Sequence, residues 1–127
     1  MSGAMSINVT SAEMSKMVAP EEAANKSLEQ VVIESTFLRA GLWPYHARAF
    51  GARTVEKLDA MKAELDKASA FLEDNTSKKM VDFEKCSKDQ QERVVKSVAD
   101  YYTELYSILS YIAVRREELT TPKGDRT

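Results

Sequence analysis

The chain has 127 residues, 43% of them hydrophobic, with four Gly and three Pro. That length holds one domain of ordinary size with enough apolar residues for a core, and so few turn-formers exclude strand-rich, collagen-like and low-complexity classes. With 18 Lys and Arg against 20 Asp and Glu, the formal charge is −2, which makes no global electrostatic case for nucleic acid or an anionic membrane.

The opening Met1-Ser2-Gly3-Ala4-Met5 has neither a basic region nor an apolar h-region, so it does not read as a secretory signal; it reads as an expression scar before a native start at or after Met5. Residues 1–19 are expected to be a flexible or partly helical arm. Thr10-Ser11-Ala12-Glu13 has the form of a capping box with Met14 and Met17 behind it, and thioether side chains suit a pliable apolar arm. Pro20 followed by Glu21 and Glu22 predicts a helix start. Ala24, Leu28, Val31, Val32, Ser35 and Leu38 then recur at helical spacing until Gly41.

Leu42-Trp43-Pro44-Tyr45 reads as a connection, with Pro44 able to open the next helix. Ala47, Phe50, Thr54, Leu58, Met61, Leu65, Ala68 and Leu72 continue in steps of three and four; Gly51 weakens the first turns, so the regular helix can also set in near Ala52. The run from Glu73 to Ser77 predicts a break, and a short helical piece from Ser77 to about Cys86 is expected to bury Met80, Val81 and Phe83. Ser87 and Gln90 form a second capping box. The last helix has the clearest stripe: Val94, Val98, Tyr101, Leu105, Ile108, Ile112 and Leu119, interrupted at Arg115 and widened by Val95, Tyr102 and Leu109. It is expected to end near Pro122, leaving 122–127 as a disordered tail.

A compact globule of this size is roughly 36 Å across, whereas helices of about 30 residues reach roughly 45 Å. The expectation is therefore an all-α, elongated antiparallel helical bundle of three main helices plus short helical pieces, occupying residues 20–121 in up-down-up order. The alternative fuses residues 77–119 into one helix.

The chemistry-bearing residues are sparse. His46 is the single His and Cys86 the single Cys, two ligands where structural zinc wants four. No Glu stands three before His46, as a carboxylate-bridged di-iron bundle requires. There is no nucleophile elbow and no Gly-rich phosphate loop. No enzyme activity, cofactor or metal is expected. No run of 18 apolar residues exists to span a membrane.

The most unusual stretch is Arg39 to Arg53, which gathers Arg39, Leu42, Trp43, Tyr45, His46, Arg48, Phe50 and Arg53 without an acidic residue. Residues 1–38 carry two basic and five acidic side chains, and residues 39–57 carry four basic and one acidic. Trp, Tyr and Arg dominate binding hot spots, so Arg39, Leu42, Trp43, Tyr45, Arg48, Phe50 and Arg53 are the candidate partner-binding residues. An equally good reading makes Trp43 and Tyr45 a cap on the bundle core under Arg stems. Tyr101, Tyr102, Tyr106 and Tyr111 are expected to line a half-wet intramolecular edge. The lysines from Lys78 to Lys96 alternate with acids and read as a solvated face.

The expected function is a non-catalytic protein–protein interaction or scaffold and adaptor bundle. It would engage another protein, or a second copy of itself, through helical faces or through the Leu42–Phe50 end. Alternatives are a bundle binding lipid or a small apolar ligand, and an extracellular or surface rod. The rod reading draws on three N-x-S/T triplets at Asn8, Asn25 and Asn75. A lone Cys favours the cytoplasm.

Overall fold

The computed structural model describes the backbone of residues 2–121 and the side chains of residues 20–121. The expectations for the side chains of the arm and for the tail 122–127 lie outside those residues. The elements are α1 (Ser2–Gly41), α2 (Trp43–Gly51), α3 (Val55–Lys79), a 3-10 turn (Met80–Lys85) and α4 (Lys88–Thr120). The protein is an elongated all-α bundle in which α1 and α2 form one bent helix.

Pairing across the seams fixes the topology. Going up α1, Glu29 meets Arg93, Ser35 meets Ser97 and Arg39 lies near Asp100. Both numbers rise together, so α1 and α4 run parallel. Asn75 donates to Glu34, and Tyr45 reaches Glu64, so α3 runs the other way. The expected up-down-up order is what forms.

α1 includes Pro20 instead of starting at it. Proline is best placed at a first turn; inside a helix it forfeits its N–H bond and crowds the carbonyl four residues earlier, so Pro20 is a locally unfavourable position in α1. The bend between α1 and α2 has a clear chemical cause. Pro44 has no N–H to give the preceding turn, and the backbone tightens there to three-residue bonds, Leu42 N to Arg39 O (3.1 Å) and Tyr45 N to Leu42 O (3.0 Å). Leu42 stays in the right-handed helical region (φ −75, ψ −22), so the turn is preserved while the axis bends.

The expected break at Glu73–Ser77 is absent, since α3 continues to Lys79. Two contacts hold these turn-forming residues in the helix: the Asn75–Glu34 bond (3.2 Å) and the Lys78–Asp74 ion pair one turn apart. The real break between α2 and α3 is at Ala52–Thr54. There Thr54 is extended and its hydroxyl accepts from Lys57 N (3.3 Å), capping α3. Ser87 caps α4 as expected, accepting from Gln90 N (3.2 Å). Gln90 does not complete the box, because the Ser87 N–H it would accept from is donated to Asn25 Oδ1 (3.1 Å). The 3-10 turn packs Phe83 part-buried against the core and leaves Met80 and Val81 exposed, while Cys86, just beyond it, is buried.

Two apolar clusters fill the rod. One joins Leu42, Ala49 and Ala52 to the α3 stripe (Leu58, Met61, Leu65, Leu72) and the α4 stripe (Tyr101, Leu105, Ile108, Ile112). The other joins Ala24, Leu28, Val31 and Val32 of α1 to Cys86 and Val94. A hydroxyl layer lies between α1 and α4: fully buried Ser35 is 2.6 Å from Ser97 and 2.8 Å from the Val31 carbonyl. Each hydroxyl has one proton, so Ser97 donating to Ser35 and Ser35 to Val31 satisfies the buried pair.

Candidate functional site

Six of the seven candidate residues divide into two groups around α2, and Arg39 stands apart. Leu42 is buried in the core, and Tyr45 is half-buried against it. Arg48 lies over the Tyr45 ring (4.7 Å to the centroid) and pairs with Glu64 at 3.0 Å. Glu64 raises the affinity of that guanidinium for its proton. These three residues fasten α2 to α3, and their aromatic and cationic chemistry is consumed inside the chain.

The other group faces water. Trp43 is 81% exposed and Phe50 is 74% exposed. The core-cap reading of Trp43 is therefore overturned. Seven residues separate them, two helical turns, with exposed Ala47 on the same face. Arg53 follows, exposed and without an ion pair among the described residues. Arg39 points to α4, 3.8 Å from Asp100 and 3.9 Å from Glu104. The expected stripe Ala47–Phe50–Thr54 is real as a pattern, but it faces solvent, and the core-facing positions are Leu42, Tyr45, Ala49 and Ala52. α2 is apolar on both sides, and a helix apolar on both sides has a second surface to cover.

The residue that holds α2 down was legible only as a gap. Arg115 interrupts the α4 stripe, and its guanidinium donates to Ala52 O (2.8 Å) and Ala49 O (3.3 Å) while pairing with Glu118. Those carbonyls belong to the end of α2, where unpaired acceptors and the negative end of the helix dipole favour a cation. His46 packs beside Tyr111, with ring centroids 6.3 Å apart.

Gly41 and Gly51 bracket α2. Neither has a positive φ, and a Cβ on either would meet nothing within 4 Å. Gly41 lines an apolar groove of about 190 Å³ with Phe37, Leu38, Leu42, Tyr45, Leu65, Ala68 and Tyr101. Gly51 lines a second of about 470 Å³ with Arg48, Ala52, Lys57, Ala60 and Met61.

Elsewhere the tyrosines behave as an internal edge. Tyr101 is buried with its hydroxyl 3.0 Å from Ser69; Tyr102 packs edge-on against it (5.2 Å) and stacks on exposed Tyr106 (5.9 Å). Burial pushes the Tyr102 phenol up. Cys86 is buried in the α1–α4 cluster, and desolvation raises its thiol. It shares no cluster with His46. Asn25 accepts from Ser87 N (3.1 Å) and Asn75 serves Glu34, so two of the three triplet asparagines have structural partners. Among the described residues no three His, Cys, Asp or Glu side chains gather as a metal-holding group, and no helix is long and apolar enough to cross a membrane.

Comparison with protein families, with curated proteins and with solved structures finds no match.

Proposed function

We propose that the protein is a non-catalytic interaction module that docks a protein partner on the outer face of α2, with Trp43 and Phe50 as anchors and Arg53 at the rim. One observation supports this above the others: the single Trp and a Phe two turns away stand more than 70% exposed on a helix whose other side already fills the core. Large exposed aromatics add nothing to folding, and they are the side chains that dominate binding energy when a partner covers them.

The test is affinity purification from the native source, comparing the wild-type chain with a Trp43→Ala/Phe50→Ala variant of matched Tm. A protein retained by the wild type and lost by the variant is the expected result. Identical captured sets would contradict docking on α2. A second reading rests on the 470 Å³ groove, whose apolar floor of Ala52, Ala60 and Met61 and Lys57 rim suit an amphipathic anion. A rise in Tm on adding a fatty acid would favour it.

A further inference from the structure

Between residues 20 and 121 the sequence has two glycines, Gly41 and Gly51, and they stand at the two ends of α2. The packing of the bundle calls for glycine at neither place, since neither has a positive φ and a Cβ on either would meet nothing within 4 Å. What glycine supplies there is torsional range, which has a use when the segment between them moves. Regular helix lapses at the same two points. Three-residue hydrogen bonds replace the α-helical pattern around Leu42, and the backbone is extended at Ala52 and Thr54. α2 is thus a nine-residue rigid piece between two pivots.

Its attachment differs in kind from that of its neighbours. α3 buries Leu58, Met61, Leu65 and Leu72, whereas α2 buries Ala49, with Leu42 and Ala52 at its ends and Tyr45 half-buried. Apolar hold scales with the area removed from water, so the hold on α2 is the smaller one. The rest of its attachment is polar. Arg115 donates to the Ala49 and Ala52 carbonyls, and Glu64 accepts from Arg48 (3.0 Å) with the Tyr45 hydroxyl 3.5 Å away. The Glu64 bridge crosses the α2–α3 seam with open space on both sides. The 190 Å³ groove over Leu65, Ala68 and Tyr101 lies on one side, and the 470 Å³ groove over Ala60 and Met61 on the other. A seam of that kind lacks the close packing of a protein interior.

We propose that α2 is a hinged strap, which opens as one unit about Gly41 and Gly51 while α3 and α4 stay folded. The Glu64 and Arg115 contacts are the latches that hold it shut. Opening uncovers an apolar floor of Met61, Leu65 and Tyr101 and carries Trp43 and Phe50 outward with the helix. The strap does not rest on the docking reading, because its hinges and latches lie within the chain whether or not a partner covers its outer face.

Amide hydrogen exchange of the full chain, read residue by residue by NMR at rising but sub-denaturing concentrations of urea, tests the strap. The helix-bonded amides of residues 47–51 are expected to share one opening reaction. Their exchange is expected to be at least about tenfold faster than that of amides 101–112, with a shallower dependence on urea. Glu64→Ala removes a latch at an exposed position where Ala suits the helix. It is expected to speed exchange at 47–51 by about threefold or more and to leave 101–112 unchanged. Exchange of 47–51 only together with 101–112, on the same urea slope, would overturn the strap. Scattered rates at 47–51 without urea dependence would overturn it as well, since they report separate fluctuations of single bonds. An unaltered rate at 47–51 in Glu64→Ala would remove Glu64 as a latch.

Discussion

Arg115 shows how a single residue decides where a short helix rests. Its side chain is 18% exposed and bridges two carbonyls at the end of α2. In Arg115→Met the packing volume stays and the bonds go, so the two acceptors lose a charged donor. The expected cost is about 1–3 kcal/mol, with faster hydrogen exchange in α2 amides and unchanged exchange in the middle of α4. Uniform loss of protection would contradict a local clasp. Glu29 gives a pH-dependent counterpart. Its hydrogen bond with Arg93 lowers its pKa from the ordinary 4.5. A carboxyl lowered on folding adds stability above its unfolded value, and that contribution is lost as pH falls through the folded one. Glu29→Gln is therefore expected to flatten the acid limb of a Tm-versus-pH profile below about pH 4.5 and to cost a little at neutral pH. An acid limb as steep as the wild type's would contradict it.

At the scale of elements, legibility followed how many faces of a helix are apolar. α3 and α4 have one core-facing stripe each, and Leu58, Met61, Leu65, Leu72, Val94, Tyr101, Leu105, Ile108 and Ile112 are buried as their spacing predicts. α2 is apolar on two sides, so periodicity does not say which side faces in: the outer stripe has the same spacing as the inner. The candidate site was found as a segment for the right chemical reason, but its division into fasteners (Leu42, Tyr45, Arg48) and free anchors (Trp43, Phe50, Arg53) depends on the bend at Pro44. The 73–77 segment misled because its helix rests on Glu34, 41 positions away. The glycines at either end of α2 yield a further expectation. With no positive φ and open space at each Cβ, Gly41→Ala and Gly51→Ala are each expected to stabilise by about 0.5–1 kcal/mol. A fall in Tm for either would mean that α2 needs the freedom those positions provide.

At the scale of the whole molecule, the 33-residue α4 extends about 50 Å, beyond the diameter of a sphere of this mass, and the helices lie side by side as a rod. A rod of three helices has much surface for its core, and the bent α1–α2 helix leaves Ile33, Phe37, Trp43 and Phe50 exposed on its outer side. That exposed face is the central claim, and the chain contains a built-in reporter of it, since Trp43 is the only tryptophan. The most direct measurement is the emission maximum and acrylamide quenching of Trp43 in dilute native protein, before and after unfolding in denaturant. A water-exposed Trp43 predicts red-shifted emission and efficient quenching in the folded state, with little change on unfolding. Blue-shifted, protected emission in dilute folded protein that moves to the red on unfolding would contradict the account.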